Sequence, residues 1–216
     1  VNTSDLTDAD GLGTFQYQWQ RSSDGVEWNT ISGAQSDSYT IGDADVGQQI
    51  RVIVSYQDGQ GTNESMISSI SEVIMNINDD PEGEVSIHGT LAQGETLTAD
   101  TGGLVDKDGF AGAFSYQWER SEDEGNTFTA IPAANEETYQ LTDTDAGSIL
   151  RVVVSYTDQH GTNETVISTP TTAITNVNDT PQGSITLSGS FAENQTVQVN
   201  TSDLTDADGL GTFQYQ

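Results

Sequence analysis

Residues 149–156, ILRVVVSY, form the most apolar stretch of the chain. Leu150, Val152, Val154 and Tyr156 stand at every second position, so an extended backbone would place them all on one face. An α-helix would instead repeat its apolar positions about every 3.6 residues. The stretch therefore predicts a β-strand.

The segments around this strand have the same period of two. Further strands are predicted at Val85 and Ile87, at residues 96–101, at Phe114, Tyr116 and Trp118, at Phe128 and Ile131, at Tyr139 and Leu141, and at residues 165–174. Turn sequences separate them roughly every eight to twelve residues, and no segment has a helical pattern. Short strands in this arrangement predict an all-β fold, an antiparallel β-sandwich.

The same pattern recurs along the chain. Residues 1–18, VNTSDLTDADGLGTFQYQ, are identical with residues 199–216, and a diverged copy lies between them. Trp19 in YQWQRS corresponds to Trp118 in YQWERS. The period of about one hundred residues is typical of one small domain per repeat. An array of this kind usually supplies length, valency or both, whereas an enzyme needs one site.

The register of the repeats predicts three segments. Residues 1–80 form a repeat that lacks its first strand or strands, residues 81–180 form a complete repeat, and residues 181–216 form the N-terminal strands of a further repeat. We interpret the chain as a window on a longer array. Alternatively, residues 181–216 of one molecule complete residues 1–80 of the next by strand addition, which would build a filament. The duplicated residues count against this alternative, because one copy would be redundant in each joint.

The chain is strongly acidic. It contains 34 Asp and Glu residues against five Lys and Arg residues, which gives a formal net charge of −29. This charge excludes nucleic acid and acidic membrane surfaces as partners. A hydrophobic content of 33% at such a charge favours disorder unless something neutralises the carboxylates, and a cation is the obvious candidate. No cysteine can form a disulfide, and no apolar run approaches the length of a membrane span.

The sequence contains no recognisable catalytic arrangement. His88 aligns with Ser188, and His160 aligns with Gln60, so neither histidine belongs to a repeated site. No Ser-His-Asp or Cys-His pattern is suggested, and the carboxylates are paired at a recurring spacing rather than isolated in one environment. We therefore expect that the chain is not an enzyme.

Each copy also has a tryptophan on its third strand, followed about twenty-five residues later by Asp-x-Gly and an alternating apolar strand. Asp45 and Gly47 form this motif in one copy, and Asp145 and Gly147 form it in the other. The arrangement is similar to the immunoglobulin-like plan, but the usual cysteine pair and tyrosine corner are missing. Val152 would take the place of the second cysteine beside the tryptophan, as Val52 would in the first copy. The core would then be held by burial alone.

The fuller pattern comprises DADGLGTFQYQWQRSSDG (residues 8–25), IGDADVGQQIRVIVSYQDGQGTNES (residues 41–65) and NINDDP (residues 76–81). It resembles the tandem immunoglobulin-like or cadherin-like repeats of giant bacterial RTX-type surface adhesins, which are exported by type I secretion. The resemblance covers essentially the whole chain. It implies tandem immunoglobulin-like sandwiches joined end to end by short linkers, at the bacterial cell surface or outside the cell. It also implies a calcium-stiffened extender that holds a binding domain away from the cell.

Acidic and amide residues recur at matching positions in two loops and in the linker of each repeat. In an immunoglobulin-like topology, the loop between the second and third strands lies where the chain enters a domain, and the loop before Asp-x-Gly lies where it leaves. We therefore expect these loops and the linker to converge at each junction. The candidate metal ligands are Asp8, Asp10, Asp43, Asp45, Asn78, Asp79, Asp106, Asp108, Asp143, Asp145, Asn178, Asp179, Asp206 and Asp208.

The candidate ion is Ca²⁺. It takes six to eight oxygen ligands at roughly 2.3 to 2.6 Å, and a flexible cage built from several segments favours it over Mg²⁺. The linker resembles that of cadherins, whereas an EF-hand is excluded because Trp19, not Glu, stands eleven positions after Asp8. Asp58 and Asp158, just after the sixth strand, are further candidates. The alternative is that the acidic clusters form turns only.

A second class of function stays open, a glycan-binding or protein-binding repeat that acts through avidity. Trp28 and Phe128 predict either packing across the sheet or a sugar-stacking platform. Four arginines on neighbouring strands predict ion pairs with nearby carboxylates or, alternatively, a site for an anionic ligand. These arginines are Arg21, Arg51, Arg120 and Arg151.

Overall fold

Thirteen β-strands and two 3-10 turns, Asp43–Asp45 and Asp143–Asp145, make up the regular structure of the chain. The computed structural model describes residues 1–216, which divide into two compact units, residues 1–79 and residues 80–216. All strand pairs within the sheets are antiparallel. The predicted all-β class of immunoglobulin-like antiparallel β-sandwiches is confirmed.

The first unit contains one four-stranded sheet with the order β2-β1-β3-β4. Its strands are β1 (Gln16–Ser22), β2 (Asn29–Thr30), β3 (Gln49–Gln57) and β4 (Asn63–Ile67). Val52 and Val54 alternate with half-buried residues along β3, as the period of two predicts. Trp19 on β1 lies directly opposite Val52.

The second unit contains a complete sandwich. Its strands are β5 (Ser86–His88), β6 (Thr96–Asp100), β7 (Ser115–Ser121), β8 (Thr129–Ala130), β9 (Thr138–Gln140), β10 (Ile149–Thr157) and β11 (Asn163–Ile167). They form a three-stranded sheet, β5-β6-β9, and a four-stranded sheet, β11-β10-β7-β8. A separate hairpin of β12 (Thr186–Gly189) and β13 (Val197–Asn200) follows in the same unit.

Apolar side chains from both sheets of the sandwich form its core. Trp118 on β7 is fully buried and lies directly opposite Val152 on β10, while Leu97 comes from the other sheet. The whole core consists of Val85, Leu97, Ala99, Leu104, Trp118, Ala134, Leu141, Leu150, Val152, Val154 and Ile174. Since the chain has no cysteine, burial of these side chains holds the sheets together.

The last predicted strand, residues 165–174, differs from the structure. Regular pairing with β10 ends at Ile167, because the next N–H of β10, that of Val152, donates to the Ser168 hydroxyl at 3.0 Å. The following residues still run beside β10 through single backbone bonds, such as Thr171 N–H to the Leu150 carbonyl at 2.8 Å. The Thr171 hydroxyl in turn accepts a hydrogen bond from the Leu150 N–H at 3.0 Å. Side-chain oxygens thus replace part of the regular ladder.

The first unit lacks the counterpart of the β5–β6 hairpin, and this changes its surface. Residues 38–40 are not a strand, whereas the matching residues Thr138–Gln140 form β9 because β6 pairs with them. Ile41 is 49% exposed, while the matching Leu141 is 1% exposed. Within residues 1–79, Ile41 thus has no strand beside it of the kind that β6 provides for Leu141.

Candidate functional site

Three aspartates are buried at the end of the complete sandwich where β6 leads into β7 and β10 leads into β11. Asp106, Asp108 and Asp158 are 8%, 3% and 1% exposed, and we call them the upstream cluster. Backbone contacts hold the two loops together, with an isolated bridge between Phe110 and Asp158 and a 3.2 Å bond from Gln159 N–H to the Asp108 carbonyl. Loops far apart in sequence therefore bring these carboxylates to one end of the domain.

Asp158 has one satisfied and one unsatisfied carboxylate oxygen. Its Oδ1 accepts hydrogen bonds from the His160 and Thr162 N–H groups, both at 2.8 Å. Its Oδ2 is buried and has no hydrogen-bond partner. Burial works to raise the pKa of Asp158, but the hydrogen bonds, led by the Thr162 N–H, outweigh it and hold the pKa below its usual value. Asp158 is therefore ionised at neutral pH with one buried oxygen unpaired, which is unfavourable without a partner.

In the first two Asp-x-Asp-Gly loops, the first aspartate bonds to a tyrosine and to its own loop. The Tyr156 hydroxyl donates to Asp106 Oδ2, and the Asp108 N–H donates to Asp106 Oδ1 at 2.8 Å. In the first unit, the Tyr56 hydroxyl donates to Asp8 at 2.7 Å and lowers the pKa of that carboxyl. This local bonding is the turn role that the sequence left as an alternative.

Asp145 and its counterpart Asp45 point into the 3-10 turns rather than into solvent. Asp145 is fully buried, and its carboxylate accepts bonds from the Tyr139 hydroxyl at 2.9 Å and from Arg120 at 3.1 Å. The Thr142 N–H also donates to it at 2.8 Å. Asp45 has the same arrangement. Both predicted ligands therefore hold their turns, and binding a metal would require these bonds to break.

Three segments meet within the second unit. They are the 3-10 turn Asp143–Asp145, which we call the exit turn, the linker and the following Asp-x-Asp loop. The Gln93 side-chain amide donates to the carboxylates of Asp143 and, at 2.7 Å, Asp179. The Asn176 amide and the Asp179 N–H both donate to Asp208 at 2.7 Å. These hydrogen bonds, first that of Asn176, lower the pKa of Asp208. We call Gln93, Asp143, Asn176, Asp179 and Asp208 the linker cluster.

The remaining predicted ligands occupy exposed or half-buried positions. In the second unit, the Asn178 amide donates to the Asp179 carbonyl at 2.7 Å, and the half-buried Asp206 accepts from the Asp208 N–H at 2.9 Å. In the first unit, Asp10, Asp43 and Asn78 are exposed, and Asp79 is half-buried.

The carboxylates do not form a complete metal cage by themselves. No group of three or more Asp, Glu, His or Cys side chains lies in an arrangement that could hold a metal ion. The donor chemistry nevertheless suits Ca²⁺, which also accepts backbone carbonyls, side-chain amides and water as ligands. The unpaired Oδ2 of Asp158 is the atom that best fits such an ion.

The arginines and the exposed aromatic rings contact one another. Arg151 pairs with Glu119 at 2.6 Å, and its guanidinium lies 4.1 Å from the centre of the Phe128 ring. Arg51 lies 4.2 Å from the centre of the Trp28 ring. The arginines thus cover the ring faces on which a sugar would stack. These contacts match the interpretation of Trp28 and Phe128 as packing residues.

Gln93 is the site residue that the sequence analysis missed. A neutral amide gives no signal in a search for acidic ligands. The sequence did offer one signal for this position. Glu193, which is charged, occupies the position in residues 181–216 that matches Gln93. Comparison of aligned positions, rather than of acidic motifs, would have identified it.

Fold and site together define the class of protein: a repetitive, all-antiparallel β chain that contains one complete sandwich with acidic loops at its ends. Residues 1–77 and 83–178 match the model of a family described as a domain of unknown function, DUF8696, and the chain belongs to this family. No curated protein matches the chain. The structure contains no helix with the length and apolar character needed to cross a membrane.

Among solved structures, the chain is similar to the crystal structure of the FN1–FN3 domains of chicken CNTN1. The sequence identity is 11%, the match covers 93% of this chain and 80% of that chain, and the TM-score is 0.27.

Proposed function

We propose that this chain is a structural extender module of a bacterial cell-surface adhesin or an extracellular filament, stiffened by Ca²⁺ at the ends of its sandwiches. The main observation in support of this proposal is that Oδ2 of Asp158, within the upstream cluster, is buried and has no hydrogen-bond partner. A buried ionised oxygen without a donor is costly, and a divalent cation would supply its missing partner.

The linker cluster supports the same proposal. Gln93 places one amide nitrogen between the carboxylates of Asp143 and Asp179, where a positive charge would be favourable. A cation that replaced this amide would bind the exit turn and the linker at the same time. The Asp208 carboxylate, already bonded to Asn176 and Asp179, would then extend the contact to the following loop.

The mechanism of stiffening is electrostatic. Without the ion, carboxylates from separate segments repel one another across a short linker. When they coordinate one ion, this repulsion becomes a shared attraction, and the linker loses conformational freedom. Extracellular calcium modules commonly bind with dissociation constants of about 10⁻⁴ to 10⁻³ M.

Thermal unfolding and solution scattering with and without Ca²⁺ test the proposal. At a ten- to hundredfold excess over Kd, we expect Ca²⁺ to stabilise the chain by about 1 to 3 kcal/mol. We expect a chelator to lower Tm and to shorten or bend the particle seen by small-angle scattering. The ionic strength is kept constant, so that general screening of the −29 charge is the same in both arms.

The matched variants are Asp158→Asn and Glu136→Gln. The first removes the charge of the buried oxygen but can keep the Oδ1 contacts, whereas the second removes the charge of an exposed residue. Asp158→Asn should lose most of the calcium-dependent rise in Tm, and Glu136→Gln should keep it. An unchanged melt and scattering profile of the parent chain in Ca²⁺ and in chelator contradicts the proposal.

A further inference from the structure

The outer face of the four-stranded sheet in the sandwich has no net charge. Trp118, Val152 and Val154 point into the core, so the residues between them along β7 and β10 lie on the outer face. The charged residues on this face are Glu119 and Arg151, which pair with each other at 2.6 Å. The uncharged outward positions include Ser115, Gln117, Ile149, Val153, Ser155, Thr157, Asn163, Thr165 and Ile167.

The strands of residues 1–79 have no carboxylate on the matching face. Gln20 stands in the place of Glu119, and Arg51 Nε donates to the Gln20 side-chain oxygen at 2.8 Å. Arg51 is also the arginine that pairs with no carboxylate, whereas the other three do. The uncharged outward positions here include Gln16, Gln18, Ile53, Ser55, Gln57, Asn63, Ser65 and Ile67. One outer face is therefore neutral and the other positive, in a chain whose net charge is −29.

Each outer face also has a pair of aliphatic residues on its two last strands. Val153 pairs with Ile167 in one unit, and Ile53 pairs with Ile67 in the other. Ile67 is 56% exposed and Ile167 is 49% exposed. These side chains leave aliphatic surface in water at the same place in both units, and covering that surface would be favourable.

We propose that a second copy of this chain docks on the outer face, so that chains associate through the outer faces of their four-stranded sheets. Two chains of charge −29 repel each other most where their acidic loops approach. The outer faces bring no excess of carboxylates together, and Arg51 adds a positive charge that favours an acidic partner. Burial of Ile67 and Ile167 then supplies the gain in free energy.

The size of one outer face predicts weak association. With strands about 4.8 Å apart and a rise of about 3.3 Å per residue, the strands of one sheet cover roughly 360 Å², so two docked faces bury roughly 700 Å² in total. Stable interfaces bury about 1,200 Å² or more. One pair of faces should therefore bind transiently, and an array with one face per module would gain strength through avidity.

Sedimentation equilibrium over a range of protein concentrations tests the association. The range extends to about 1 mM, because an interface below the standard size should bind more weakly than micromolar. A chelator is present throughout, so Ca²⁺ contributes nothing. We expect the average mass to rise above the 23.0 kDa of one chain as the concentration rises, and to rise further when salt screens the repulsion. A constant 23.0 kDa at every concentration and salt level overturns the proposal.

Two matched double variants locate the association on the outer face. Ser65→Asp with Thr165→Asp places one carboxylate on each outer face and should abolish the rise in mass. Asn29→Asp with Thr138→Asp adds the same charge elsewhere and should keep it. Asn29 pairs with Arg21 on the opposite side of the sheet, and Thr138 lies on β9 of the other sheet. All four substituted residues are exposed. Equal loss in the two double variants would contradict docking at this face.

Thiol reactivity tests the same surface without adding charge, because the chain has no cysteine of its own. The reaction of Thr165→Cys with a neutral thiol reagent should slow as protein concentration rises, since docking covers residue 165. Thr138→Cys is the control and should react at the same rate at every concentration. A rate for Thr165→Cys that does not depend on concentration, or equal slowing of both variants, would overturn the proposal.

These experiments also separate docking of a second copy from other functions. If the mass stays at 23.0 kDa while a soluble neutral polysaccharide slows the reaction of Thr165→Cys, the face binds glycan and the proposed self-association is wrong. The proposed calcium function does not depend on the outcome, because its melting and scattering tests compare Ca²⁺ with chelator, whereas association is measured in chelator alone.

Discussion

At the scale of single residues, buried carboxylates divide into two kinds. Asp145 has donors on both of its oxygens, from Tyr139, Thr142 and Arg120, and therefore stabilises the turn that it belongs to. Asp158 has an oxygen without a donor. The donors around a carboxylate, and not its place in an acidic motif, show whether its burial is already compensated within the protein.

Asp145→Asn should destabilise the second unit by about 3 kcal/mol, because it leaves Arg120 without its buried partner. The measurement is urea denaturation in chelator. Glu136→Gln is the control in the same unit. It removes an exposed charge and should change the unfolding free energy by less than about 0.5 kcal/mol. Equal effects of the two variants would contradict the structural role of Asp145.

Asp123 gives a prediction about pH. The Thr127 hydroxyl at 2.6 Å, the Thr127 N–H at 2.8 Å and the Ser121 hydroxyl at 2.7 Å lower its pKa from 3.8 to about 2. Since the pKa is lower in the folded state, the stabilisation is present above pH 3.8 and is lost as the pH falls toward about 2. NMR titration of the carboxyl group should give this value.

Thr127→Val should move the pKa of Asp123 back toward 3.8 and weaken the fall in stability in this range of pH. Thr129→Val is the control, because it removes an exposed hydroxyl from the neighbouring strand β8 without a contact to Asp123. A pKa that stays near 2 in Thr127→Val would show that the hydroxyl does not hold it there.

At the scale of elements, the facing sheet decides which side of a strand is buried. Leu97 and Ala99 alternate with more exposed residues along β6 and belong to the core that both sheets form. The stabilisation of β6 therefore comes from packing as well as from its pairing with β5 and β9.

Leu97→Ala should destabilise the second unit by about 3 kcal/mol, because it leaves a cavity in the core. Val105→Ala, at a position of the same unit that is 59% exposed, should cost less than about 0.5 kcal/mol. Thermal or urea unfolding measures both. Similar losses in the two variants would contradict the core role of Leu97.

At the scale of the whole molecule, the net charge of −29 destabilises every compact state of the chain, because the carboxylates repel one another. Only four arginines and Lys107 oppose 34 acidic residues, and three of these arginines already pair with carboxylates. The protein itself can neutralise few further carboxylates. We therefore expect the stability of the chain to rise with ionic strength, because salt screens the repulsion between the remaining carboxylates.

Three features of the sequence were sufficient for three of the predictions. The alternation in ILRVVVSY predicted the sandwich, the period of about one hundred residues predicted the repeats, and the paired Asp motifs predicted the acidic loops. These features are local, so sequence alone determines them. The irregular end of the last strand was not predicted, because side-chain hydroxyls beside Pro170 replace its ladder bonds. Many of the predicted ligands are already bonded within the protein: Asp8 and Asp106 accept from tyrosines, and Asp45 and Asp145 accept from a tyrosine and an arginine.

Sequence by itself determined which residues carry negative charge and which segments form strands, since both depend on residue type and short-range spacing. Only the tertiary structure decided which carboxylates are satisfied. The pairing of loops distant in sequence buries Asp158 with an unpaired oxygen, and the folding of the exit turn encloses Asp145 among its donors. The packing of the two sheets likewise decides that Leu97 is buried. Burial and hydrogen-bond partners are properties of long-range contacts, which residue type and spacing do not specify.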